Sequence, residues 1–362
     1  MRKQNGGEIK LRRLVVRNYK VLDSLDIEFP PPRMKGDPDI MVMGSKNGLG
    51  KTSVLESCAW LFLAAATHLD VVPPLPIKDW EMPVDYPDLL IRSGAKEAQI
   101  EGTFSLDGVE FRLMLSIARS GKFRIEGDVR HLRRIMPSPG SGIPGLPWPN
   151  IVAIFGVDYE PLWLPPLLYL HSYRKVREGD VELEGIVRRQ QHIHRYEPGF
   201  RGSNSTFKLE VLQAMMSRAG LFEGHHEQEG GGVLDKLNEL IRRFGGGTIE
   251  KLRPSQDSRI EFRVTPTEGG ESYSFDGLSS GQKEIISTLF LIWHYTRSRP
   301  GIVLIDEPEL HLNAEWHRSF IRQLHELAPR NQYIIATHSE RVFSSVPEDR
   351  RLLLQMQGAA AR

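Results

Sequence analysis

Apolar and polar residues alternate from Ile9 to Phe29 (IKLRRLVVRNYKVLDSLDIEF), a period of two that predicts two short strands around a turn near Asn18. The apolar run DIMVMG, ending at Gly44, then predicts a buried strand. A glycine-rich turn follows, and the stretch SVLESCAWLFLAAATHL has the length and composition of a helix. Between Asp70 and Asp88 the prolines at 73, 74, 76, 83 and 87 exclude a regular helix or central strand, which leaves an ordered surface insertion. Period-two patterning returns from Ala98 to Ile125, with turn signals at Asp107-Gly108 and Ser120-Gly121, and predicts an antiparallel meander. Residues Arg130 to Asn150 have no apolar period and read as a loop.

LLYLHSY (Leu167 to Tyr173) reads as a buried strand, and the next roughly 80 residues read mainly as helices broken by EGHHEQEGGG and FGGGT. SRIEFRVTP is strand-like, GQKEIISTLFLIWHYTRS helical, GIVLIDEP a buried strand with a polar end, AEWHRSFIRQLHELA helical and QYIIATH another buried strand. No internal repeat and no long heptad run is present. Four segments follow from these patterns. Residues 1–69 and 255–362 form the two halves of an α/β core, 70–166 a proline-rich insertion with an antiparallel β lobe, and 167–254 an inserted helical lobe.

Composition narrows the class without naming it. The 362 residues contain 47 Lys+Arg against 46 Asp+Glu, a net charge of +1 that excludes a generally basic nucleic-acid coat and an acidic disordered tail. The apolar runs AWLFLAAA and STLFLIW fall short of the ~20 residues a bilayer-spanning helix needs. The amino terminus, MRKQNGGEIKLRRL, lacks the apolar stretch of a secretory signal. A single cysteine, Cys58, gives no sign of an oxidising compartment, so a cytoplasmic protein with no membrane partner is expected.

Ser45-Lys46-Asn47-Gly48-Leu49-Gly50-Lys51-Thr52, followed by Ser53, lies between a predicted strand and a predicted helix. Glycines there let backbone N–H groups turn onto phosphates, Lys51 would reach the β and γ phosphates, and the Thr52 hydroxyl suits Mg²⁺. Ser45 stands where such loops usually carry glycine, and a plain glycine-rich turn with a helix cap is the alternative. Asp306 and Glu307 end a buried strand, a poor place for charge unless a cation or a reacting water is present. Asp306 would hold the metal and Glu307 the attacking water, or both acids would cap the next helix.

Leu278-Ser279-Ser280-Gly281-Gln282 lies between these stretches and resembles the LSGGQ signature of the ABC ATPase superfamily. His338 in IIATHS resembles the switch histidine of the same superfamily. LIDEPELHLNAEWH and the opening RNYK (Arg17 to Lys20) resemble the RecF/SMC/OLD branch. LYLHSYRKV (Leu168 to Val176) resembles the "Y-x-P-x-Y-R" strand of OLD-like ATPases from bacterial antiphage systems such as Septu, with His171 in place of the proline. The resemblance covers roughly residues 9 to 66 and 255 to 345.

It implies a P-loop NTPase fold, an ABC-type ATPase head with ATP and Mg²⁺ as cofactors. It also implies a head-to-tail homodimer, each nucleotide held between the phosphate loop of one copy and the signature of the other. Lys51, Glu307 and His338 would then be catalytic, and Thr52 and Asp306 would hold the metal. Arg17, Asn18, Ser45 to Ser53 and Ser279 to Gln282 would contact nucleotide, and Arg174 would lie at the rim.

Three functions fit this resemblance. The first is an OLD-like defence or DNA-maintenance ATPase controlling a separately encoded effector such as a nuclease. The sequence stops at Arg362, so no C-terminal Toprim nuclease is expected in it. The second is a RecF-like DNA-repair clamp. The third, an ABC transporter subunit, is disfavoured by ELHLN and the proline-rich insertion.

Other candidates read two ways. Lys122, Arg124, Arg130, Arg133 and Arg134, and Arg188, Arg189, Arg195 and Arg201 with His192 and His194, could meet DNA phosphates or form solvated faces. His192/His194 and His225/His226 lack a companion at metal-ligand spacing and read as surface loop. Cys58, Trp148 and Trp163 read as packing. If the first basic group binds DNA, charge reversal at Arg133 and Arg134 lowers affinity and flattens its salt dependence; an unchanged slope in a salt titration removes them from the interface.

Overall fold

The computed structural model describes residues 7–34, 36–44, 48–71, 86–136, 154, 161–174, 176, 178, 181–182, 206–218, 232–250, 252–254, 259–310 and 312–355. The proline-rich 72–85 and the basic stretch 188–201 lie outside them.

A six-stranded sheet occupies the centre. Its order is β16 (Arg351–Leu353), β3 (Asp39–Gly44), β15 (Gln332–Thr337), β14 (Ile302–Asp306), β8 (Leu167–Leu170) and β7 (Leu162–Leu164). All neighbours are parallel except β7 and β8. Every residue of β3, β8, β14 and β15 is buried, as continuous apolar strands in a parallel sheet covered on both faces must be.

Strand pleating divides these residues between two cores. Met41, Met43, Ile302, Leu304, Ile334 and Ala336 face one cluster; Ile40, Val42, Val303, Ile305, Tyr333 and Ile335 face the other. In the first core, α1 (Lys51–His68) lies between the parallel sheet and an antiparallel sheet. That second sheet has the order β2 (Leu22–Glu28), β1 (Ile9–Tyr19), β4 (Glu97–Leu106), β5 (Val109–Ala118) and β6 (Phe123–Gly127). Enclosed on both sides, α1 is apolar nearly all round rather than striped.

The second core packs α2 (Thr206–Arg218), α3 (Val233–Gly245), α4 (Ser280–Thr296) and α5 (Ala314–Leu327) against the other sheet face. A small sheet around β12 (Arg259–Pro266) adds β9 (Val181–Glu182), β10 (Gly247–Thr248), β11 (Leu252–Pro254) and β13 (Tyr273–Ser274). The last helix, α6 (Glu340–Phe343), follows β15.

The opening hairpin and the meander are present, but they are one sheet: β1 pairs with both β2 and β4. Sheet membership therefore crosses the segment boundary at 69/70. β7 and β8 lie together in the central sheet on either side of 166/167. Local pattern reports each strand's faces but not its neighbour, so pairing can cross a change in composition. Asn18 (φ 55°) sits inside β1, and the chain reverses at Lys20 and Val21. The Gln332 side chain joins the two sheets, accepting from Leu11 N–H (2.7 Å) and donating to Leu11 C=O (2.8 Å).

Gly301 precedes β14 where Ile302 N–H donates to Pro166 C=O at 2.9 Å. A Cβ on Gly301 would collide with that same oxygen. Gly301→Ala is expected to lower the unfolding free energy by about 1–3 kcal/mol in urea titration, through overpacking at this contact.

Candidate functional site

Parallel register brings three chain exits to one edge. Gly44 pairs with Thr337 and Asp306 with Ala336, so the chain leaves β3, β14 and β15 side by side. Ligands of open α/β sheets bind beyond such carboxyl ends.

After β3, Ser45, Lys46 and Asn47 lie outside the described residues. Gly48 (φ 79°) and Gly50 (φ 92°) are left-handed, and at Gly50 a Cβ would also strike Leu22. Gly50 caps α1 through its backbone, with no side-chain cap among the described residues and no acid in the first turn. The helix amides there suit an anion. Leu49 is half-buried and Ser53 buried.

Lys51, only 5% exposed, places its Nζ 2.8 Å from Nε2 of His338. Burial draws its ammonium below the ordinary lysine range, opposed by the carboxylates of Glu307, Asp306 and Glu309. Thr52 Oγ1 donates to Asp306 Oδ2 at 2.9 Å. Asp306 is 1% exposed, and its Oδ1 has no hydrogen-bond partner among the described residues. Burial pushes this carboxyl up to about 7; the Thr52 hydroxyl and Arg174 oppose the rise and the nearby Glu307 and Glu56 add to it. The Thr52 hydroxyl and the Asp306 carboxylate, whose Oδ1 is unpartnered among the described residues, form an all-oxygen donor set that fits a hard divalent cation such as Mg²⁺.

Glu307 adopts a left-handed conformation (φ 45°), its N–H donating to Ala336 C=O at 2.8 Å. Its Oε1 lies 3.2 Å from His338 Nε2. The strained turn is held from beneath by Arg174. Nη1 donates to the carbonyls of Asp306 and His171, both at 2.7 Å, and Nη2 to the carbonyl of Glu307 at 3.3 Å. Nε lies 2.6 Å from Oε1 of Glu284 on α4. Arg174 and Glu284 are both buried, so Arg174 is under the strand end rather than at the rim expected from the sequence.

Glu309 escaped the sequence reading, although it stands in the same DEPE run. Its Oε2 accepts from Thr337 Oγ1 (2.7 Å), and Oε1 accepts from the amides of His338 (2.5 Å) and Ser339 (3.1 Å). Glu56 was also missed; it lies one helical turn beyond Thr52 on α1. Lys20 Nζ (2.5 Å) and Tyr19 OH (3.1 Å) donate to its Oε2, tying the opening hairpin to the helix. Burial raises the Glu56 carboxyl above its ordinary range, with Lys20 and Tyr19 opposing. On that hairpin Arg17 is exposed and Asn18 half-buried.

The signature opens α4. Ser279 and Gln282 form a reciprocal capping box, and Gln282 Nε2 donates to Phe244 C=O at 2.8 Å. Ser279 and Ser280 are exposed, while Gly281 and Gln282 are half-buried. Lys122, Arg124, Arg130, Arg133 and Arg134 are exposed, and Arg124 pairs with Glu126 at 3.0 Å. Arg188, Arg189, His192, His194, Arg195, Arg201, His225, His226 and Trp148 lie outside the described residues. Trp163 stacks on Tyr295, and Cys58 is buried, which pushes its thiol up to about 12. Among the described residues, no group of three or more His, Cys, Asp and Glu could hold a metal, and no helix is long and apolar enough to cross a membrane.

Residues 224–344 match the family described as "AAA domain, putative AbiEii toxin, Type IV TA system". The chain is similar to the "Retron Vc95 probable ATPase" of Vibrio cholerae, 29% identical over 31% of this chain and 23% of that protein. It is also similar to the "Retron Ec83 probable ATPase" of Escherichia coli, 21% identical over 97% of this chain and 72% of that one. The chain thus spans about a quarter of the Vc95 protein and nearly three quarters of the Ec83 protein. Among solved structures, an SMC head bound to the C-terminal winged-helix domain of ScpA superposes with a TM-score of 0.54, 14% identity and coverage of 93% of this chain and 91% of that one. The fold is that of a P-loop ATPase head of this kind, mixed α/β with antiparallel sheets.

The Glu309 clamp has a direct consequence. Hydrogen bonds to a charged group contribute about 1.5–3 kcal/mol each, so Glu309→Ala should speed amide exchange at His338 and Ser339 by roughly tenfold or more. Exchange within β15 should stay unchanged, and hydrogen exchange read by mass spectrometry checks both.

Proposed function

We propose that the chain binds and hydrolyses ATP with Mg²⁺ as a cytoplasmic homodimer and works as a conformational switch. In this reading the switch serves antiphage defence or DNA maintenance and controls a separately encoded effector such as a nuclease. The observation that carries the reading is the buried Asp306 carboxylate, hydrogen bonded to Thr52 at the start of α1, with Lys51, Glu307 and His338 at the same edge. Similarity to two retron ATPases and to an SMC head supports the ATPase part. Residues 1–69 and 255–362 would supply the ATPase core, and 70–166 and 167–254 the lobes that answer to the effector.

Lys51 and the first-turn amides of α1 bind the β and γ phosphates, exchanging the His338 contact for the nucleotide. Thr52 and Asp306 would hold Mg²⁺, which when bound would supply positive charge against the phosphates. Glu307 orients the attacking water and takes its proton, and His338 contacts the γ-phosphate. Arg17 and Asn18 flank the nucleotide from the hairpin. Ser279 and the α4 amides through Gln282 of a second copy donate to the γ-phosphate, contacts that exist only while ATP bridges the two copies. Hydrolysis removes the bridge and loosens the dimer.

A second reading, a RecF-like clamp on DNA, is favoured by the exposed Arg130, Arg133 and Arg134. Glu307→Gln separates the readings. Losing the general base should slow hydrolysis about 10²–10⁴-fold and trap an ATP-bound dimer, read by mass photometry with and without ATP·Mg²⁺. Trapped dimers that recruit the product of the adjacent gene support effector control, and dimers that load on DNA without a protein partner support the clamp. Hydrolysis at the parent rate sinks the assignment of Glu307.

A further inference from the structure

A buried guanidinium, that of Arg174, joins the signature helix and the turn that carries Asp306 and Glu307. α4 begins at exposed Ser280, and one turn further in, Glu284 is 4% exposed and meets Nε of Arg174 at 2.6 Å. Nη1 and Nη2 of Arg174 donate to the carbonyls of His171, Asp306 and Glu307, whereas the Nε–Glu284 contact is an ion pair without hydrogen-bond geometry. Two of those carbonyls flank the left-handed Glu307. The guanidinium is planar and rigid, so a shift of α4 that moves the Glu284 carboxylate tilts the whole fork and changes how the Asp306–Glu307 backbone is held. A buried ion pair is by itself a weak source of stability.

We propose that Arg174 and Glu284 form a positioning pair that reports signature engagement to the Asp306–Glu307 turn. The inference rests on the two-site ATPase reading. In that reading the signature of a chain acts on one nucleotide and its Asp306 and Glu307 on the other, so the pair connects the two composite sites. Neither residue touches nucleotide; both act through the backbone that aims Glu307 and Asp306.

Steady-state ATP hydrolysis by the full chain tests it, with the thermal midpoint measured alongside. Arg174→Lys keeps the charge but cannot span Glu284 and the carbonyls together. It should lower kcat at least tenfold while KM stays within about threefold. Glu284→Gln, close in shape and leaving Arg174 intact, should lower kcat about five- to tenfold, again with KM held, and decides the matter if Arg174→Lys fails to fold. The double variant should be no slower than the slower single variant, since one relay is broken once. Parent kcat in both folded single variants, KM rising in step with the loss, or losses that multiply would overturn the pair while leaving the ATPase reading in place. A parent chain that hydrolyses no ATP would overturn both.

Discussion

A carboxylate buried at the end of the central strand is the constraint around which the site is arranged. Asp306 is 1% exposed, and burial raises it to about 7, so its charged form is stable only beside partners that favour it. Thr52 supplies one hydroxyl, which fixes where α1 must begin, and Gly50 makes that start possible by adopting a left-handed backbone. The orphaned Oδ1 leaves room for a cation of the kind that would stabilise the charge.

The remainder of the site consists of devices that hold loops against this strand end. Glu309 accepts a hydroxyl from the last residue of β15 and two amides from the segment after it, and Arg174 donates to the carbonyls of Asp306 and Glu307 at the end of β14. Glu56 anchors the opening hairpin to α1. Each is a side chain bonded to several partners at once, which is how a loop outside regular structure acquires a defined position. The strained Glu307 backbone is kept by this surrounding set rather than by its own preference.

A sheet carrying separate cores on its two faces also explains how distant segments cooperate. α1 belongs to the first core and α4 to the second, on opposite faces of the sheet. Likeness to an SMC head at 14% identity shows that this architecture survives wide sequence change.

Much of the parallel sheet was legible because buried strands are continuous apolar runs: DIMVMG, GIVLIDEP and QYIIATH each became a central strand. The glycines before Lys51, the paired acids after Ile305 and the SSGQ cap were legible because their chemistry depends on residues adjacent in the chain. Glu284 and Glu309 carry no such signal, and Arg174 was legible only as a residue of the rim, since the partners of each lie elsewhere in sequence. Pairing of β1 with β4 and of β8 with β14 was equally hidden, because alternation records a strand's faces and not its neighbour. Local pattern thus determined the elements and the candidate residues for binding phosphate. Tertiary structure alone decided which charges were buried together, since burial is a property of the packed chain and not of any segment within it.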